Sequence, residues 1–72
     1  MTNNAKQAIK ALTAAQIPMA GSQNKYAAKL GISAATITNL MQGKFELISD
    51  EMWRKLADFF DCVVKFIFVI VF

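Results

Sequence analysis

Residues 31 to 33 read Gly-Ile-Ser, and these three side chains in this order dictate a corner between two helices. A glycine just past a helix end takes up left-handed backbone without a Cβ penalty, so the last carbonyls find partners. An apolar residue behind it packs back on the helix. A serine next in line accepts from the open amides of a following helix. Ser22 provides the same cap for a helix over Gln23 to Leu30, and Gly43 ends a helix that runs to about Gln42. The turn between the two helices is about three residues long, tight enough to fix their crossing angle.

The side chains inside this pair agree with such a corner. Ala27 falls on the face where the second helix of the pair crosses closely, and a larger side chain there would push the backbones apart. Ile37 and Leu40 point inward with Met41 completing the stripe, and Leu30 and Ile32 close the remaining gap. Ala34, Ala35, Thr38, Asn39 and Gln42 are left on the outer face.

Flanking segments read as further helices. Ala5, Ala8, Ile9 and Leu12 follow the spacing of one apolar helix face, with Asn3 or Asn4 as cap. Pro18 is expected to end that helix, with Met19 to Gly21 as a connection. Lys6 and Lys10 share a side of it, as a solvated face or as phosphate contacts. Glu46, Leu47 and Ile48 form a loop, and Ser49 caps a last helix with Asp50 and Glu51 opposing its dipole. Met52, Trp53, Leu56, Phe59 and Phe60 repeat at helical spacing through about Phe60. Their place on one acidic, amphipathic helix favours a core role over a base-stacking platform. The tail, VVKFIFVIVF, is too short for a bilayer span, which needs about 20 residues. Its valines, isoleucines and phenylalanines favour a strand paired with a second chain.

Composition bounds the chemistry. A chain of 72 residues forms a single domain, and its lone Cys62 rules out an internal disulfide, as suits a reduced, cytoplasmic protein. One cysteine and no histidine cannot build a tetrahedral metal site, and no nucleophile sits in a base-and-orienter pattern. The chain is read as no enzyme, with no cofactor, no metal and no small-molecule ligand. The amino terminus lacks the apolar core of a secretory signal. Charge is divided along the chain. Residues 1 to 44 hold Lys6, Lys10, Lys25, Lys29 and Lys44 and no acid, whereas all five acidic residues lie in residues 45 to 72. One side of the protein is thus built to meet an anion.

The stretch QNKYAAKLGISAATITNLMQ, Gln23 to Gln42, resembles the helix-turn-helix of phage-repressor proteins of the Cro or Xre type. The resemblance rests on Gln23, Ala27, Gly31, Ile32, Ile37 and Leu40, at the positions where that family has glutamine, alanine, glycine and branched apolar residues. More loosely, NKYAAKLGISAATITNLMQGKFELISDEMWRKLA is similar to the amino-terminal domain of MuB-like mobile-element transposition ATPases. The phosphate loop of the ATPase module is absent, so ATP binding does not carry over. The resemblance implies a mainly α fold, a small four- to five-helix bundle like that of lambda repressor, over residues 1–62. Residues 63–72 follow as an apolar tail and candidate dimerisation strand.

The resemblance also implies a mechanism, in which the helix after Ser33 enters the major groove of double-stranded DNA. Ser33, Ala34, Ala35, Thr38 and Asn39 would then read bases, with Asn39 suited to an adenine edge and the methyl groups to thymine. Gln23, Asn24, Lys25, Gln42 and Lys44 would hold phosphates. The function expected is sequence-preferring DNA binding by a homodimer, in transcription or transposition. The alternative is an interaction or self-association module on the same fold. A membrane-surface role is disfavoured, because charge and apolar run occupy opposite ends of the chain.

Overall fold

The computed structural model describes the backbone of residues 1–71 and the side chains of residues 1–62. Four α-helices follow one another among the described residues: α1 (Asn3–Ala20), α2 (Gln23–Leu30), α3 (Ala34–Met41) and α4 (Asp50–Val71). A 3₁₀ turn, Phe45–Leu47, joins α3 to α4.

The corner forms as its residues dictate. Ser22 Oγ accepts from the Lys25 amide at 3.1 Å and starts α2. Gly31 has φ of 73°, the left-handed region. Its amide donates to the Ala28 carbonyl at 3.2 Å, and the Ile32 amide donates to the Ala27 carbonyl at 3.0 Å. Ile32 is buried, and Ser33 Oγ accepts from the Thr36 amide at 3.2 Å to start α3. At the far end of α3 the Lys44 amide returns to the Asn39 carbonyl at 2.9 Å, closing it in the same manner.

Ile37, Leu40 and Leu56 are fully buried at the centre, ringed by Ile9, Tyr26, Ala27, Ile32, Ile48, Trp53 and Phe60. Each large apolar side chain so enclosed contributes about 1.5–3 kcal/mol. Ring edges meet ring faces at Tyr26 and Phe59, with centroids 5.9 Å apart, and at Phe45 and Trp53, 5.4 Å apart. Leu30 and Met41 are half-buried at the margin.

Several expectations are corrected. Thr2, one residue before the expected asparagines, caps α1, accepting from the Ala5 amide at 3.1 Å. Pro18 lies inside α1 and does not end it. Pro18 and Ala14 are both exposed, so the Ala14 carbonyl that loses its helical donor faces water. The helix proceeds to Ala20, and the Gly21 amide closes on the Ile17 carbonyl at 3.1 Å. The buried face of α1 is Ile9 and Thr13, with Ile17 and Ala20 packed beside them, while Ala8 and Leu12 face solvent. Glu46 and Leu47 lie in the 3₁₀ turn rather than in an irregular loop, and Ile48, in the bend that follows, is buried in the core.

The tail is not a strand. α4 continues through Val71, and Phe72 lies outside the described residues. No glycine or proline interrupts residues 50 to 72, so the helix is already nucleated when it reaches Val63. Each further residue then adds one hydrogen bond. A strand would need a neighbour to pair with, and no strand exists among the described residues.

One buried pair is polar. Tyr26 is 1% exposed and Thr13 0%, and neither hydroxyl finds a hydrogen-bond partner among the described residues. Burial pushes the Tyr26 phenol above its ordinary value, and the nearby Thr13 hydroxyl opposes that rise without reaching good hydrogen-bond geometry. A raised phenol pKa means that the neutral phenol is favoured in the folded state. Its contribution is therefore complete below the unfolded pKa of about 10 and is lost as pH climbs from there through the folded value. Tyr26→Phe removes both the unpartnered hydroxyl and this titration. Thermal unfolding should show the variant at least as stable as the parent at pH 7 and with a smaller loss of Tm above pH 10.

At Gly31 nothing obstructs an added methyl group, so Gly31→Ala tests backbone conformation alone. The left-handed penalty predicts a loss of about 1–2 kcal/mol, read by denaturant titration.

Candidate nucleic-acid interface

The outer side of α3 is open to solvent at Ser33, Ala35, Thr38 and Gln42, and half-open at Ala34 and Asn39. Ala34 also packs against the core, so only part of its methyl group is presented. The cap at Ser33 and the closure at Gly43 hold this helix at both ends, and Ile37 and Leu40 anchor its inner side.

Thr38 connects the two helices of the corner. Its hydroxyl donates to the Ala34 carbonyl at 3.1 Å and lies 3.4 Å from Gln23 Oε1. One proton serves both acceptors, so the link to Gln23 is the weaker of the two. It nonetheless brings the first residue of α2 against the middle of α3, which spacing alone does not reveal. Gln23, Asn24 and Lys25 are exposed together at the start of α2, where the backbone amides of the first turn lack helical acceptors.

The lysines divide into groups. Lys25 and Lys44 are exposed. The Lys25 chain lies along the α1–α2 turn, with Cδ 3.2 Å from the position a Cβ on Gly21 would take. The Lys10 ammonium stands 3.7 Å from the equivalent position on Gly43, which places it at the end of α3 beside Gln42 and Lys44. The Lys6 ammonium sits over the Trp53 ring, 5.2 Å from its centroid, and that of Lys29 over Phe59 at 5.9 Å. Lys6 therefore takes a cation–π position, and Lys10 alone of that α1 pair reaches α3.

Two features escaped sequence reading. Lys55, on α4, donates to the Gly31 carbonyl at 3.3 Å and fastens the turn from below. Tyr26 fills the space beneath α2; the signal for it was present in the run of Tyr26, Ala27 and Leu30 along one helix face.

Neither the known protein-family models, nor the curated proteins, nor the solved structures contain a match to this chain. Among the described residues no cluster of histidine, cysteine or carboxylate side chains is placed to hold a metal ion. No described helix is long and apolar enough to cross a membrane.

Proposed function

We propose that this chain binds double-stranded DNA with a preference for sequence, through a helix-turn-helix of the repressor type made by α2 and α3. One observation carries the reading: the exposed, uncharged polar face of α3 abuts Gln23 at the start of α2, within residues 1 to 44, which hold five lysines and no acid. A face of this kind suits the edges of bases, and the cations beside it suit phosphates.

In this reading α3 lies in the major groove. Ser33, Ala34, Ala35, Thr38 and Asn39 meet base edges, and Asn39 contributes the one bidentate contact suited to adenine. Gln23, Asn24 and Lys25 hold phosphates at one end, and Gln42 and Lys44 at the other. Lys10, found beside Gly43, joins the second group. Gln23 Oε1 lies 3.4 Å from the Thr38 hydroxyl, so the phosphate-holding and base-reading groups adjoin across the corner. Each good bidentate contact contributes about 1–3 kcal/mol of discrimination. With one or two per subunit, selectivity requires two subunits on one site or readout of DNA shape. The apolar residues 63–72 and the exposed Leu12 and Met19 favour a second reading, a module that associates with itself or another protein on the same fold.

Binding of a labelled duplex, measured at several ionic strengths, separates the two. With Lys10, Lys25 and Lys44 on phosphates, log K should fall against log salt with a slope of about −3 per subunit. Absent or salt-independent binding would defeat the proposal. Lys44→Ala should weaken every duplex alike and reduce the slope by about one unit. Asn39→Ala should lose about 1–3 kcal/mol on the preferred sequence and leave non-specific binding unchanged.

A further inference from the structure

A surface helix ordinarily carries charge opposite its buried stripe. α1 reverses this. Lys6 and Lys10 lie toward the body of the protein, over Trp53 and beside Gly43. The side facing solvent presents Ala8, Leu12, Ala15 and Met19, with Leu12 43% and Met19 80% exposed. Asn4, Ala5, Ala11 and Gln16 flank this stripe without a charge. Intervals of four, three and four residues are those of the apolar seam between paired helices.

We propose that this face is the contact between two copies of the chain, the α1 helices packing antiparallel about a two-fold axis level with Thr13 and Ala14. The order of sizes along the seam selects a second copy as occupant. It runs small, large, small, large, and is self-complementary under that rotation. Leu12 meets the partner's Ala15, and Ala8 meets the partner's Met19, so every large side chain faces a methyl group. A parallel pair would instead set leucine on leucine and alanine on alanine, leaving gaps that forfeit dispersion contacts. Both helices present the same patch, as a closed dimer requires.

Charge decides against other occupants. DNA needs cations on its contact surface, and a helix lying on an anionic membrane borders its apolar face with lysine or arginine. The stripe and its flanks have neither. Four seam positions a side form an interface at or below the low end of about 1,200 Å² for stable complexes. The association is therefore weak, with a Kd between roughly 1 μM and 1 mM. It does not depend on the chain binding DNA.

Sedimentation equilibrium of the full chain carrying Cys62→Ser, at concentrations up to about 1 mM, tests the proposal. A monomer–dimer equilibrium is expected. Leu12→Glu and Met19→Glu should each raise the dimer Kd at least tenfold, with circular dichroism and Tm unchanged because both positions are exposed. Register is read by mixing Ala8→Cys chains with Met19→Cys chains in the same background and oxidising. The mixed disulfide should form ahead of both homodimers. A monomer across the whole range would overturn the proposal. So would a dimer indifferent to both glutamates, homodimer cross-links that form as readily as the mixed one, or association abolished by Phe66→Glu alone.

Discussion

At Gly31 the chain leaves α2 with positive φ, and the next amide turns back 3.0 Å to the Ala27 carbonyl. That single reversal puts Ile32 into the core, aligns Ser33 to start α3, and allows α3 to cross α2 above the small Ala27 side chain. Lys55 secures the same point from α4 by holding the Gly31 carbonyl. The outward direction of Thr38 and Asn39 follows from this geometry, since Ile37 and Leu40 occupy the inward side of a helix that has only one way to lie.

Neither α2 nor α3, of eight residues each, would hold its helix in water alone, where about 12–15 residues are marginal. Caps and packing supply what length does not. Ile37, Leu40 and Leu56 provide the centre, and from α4 Phe59 meets Tyr26 of α2 and Trp53 meets Phe45 of the 3₁₀ turn, the rings edge to face. The core is not wholly apolar. Thr13 and Tyr26 place two hydroxyls in it without hydrogen-bond partners among the described residues, an arrangement that subtracts from stability. The shape of the Tyr26 ring, rather than its oxygen, is what the packing uses.

Local chemistry made much of this readable from residues alone. Ser22, Ser33 and Ser49 all cap as their positions indicated, and Gly31 and Gly43 both close helices, because these signals act within four residues of themselves. What escaped depends on alternatives that only the folded whole resolves. α1 has two apolar faces, and the one lined by Ile9, Thr13 and Ile17 is the one turned inward. Proline inside α1 was misread because its exposed surroundings satisfy the carbonyl it orphans. β-branched and aromatic residues after Cys62 favour extended backbone in isolation, yet they continue a helix that nothing interrupts. In the candidate interface, Ser33, Ala35 and Thr38 stand toward solvent, and Ala34 and Asn39 are half-open. The contact between Thr38 and Gln23 and the tie from Lys55 were invisible, because they join residues 15 and 24 positions apart.

Because α3 is fastened at both ends and from beneath, its backbone is already in one arrangement before anything touches it. A ligand meeting this face would have only surface rotamers and water to reorganise, so association is spared the entropy loss of ordering a main chain. The same stiffness narrows tolerance. A groove whose width or curvature departs from the fixed profile would have to deform itself, since the protein has little slack to follow it.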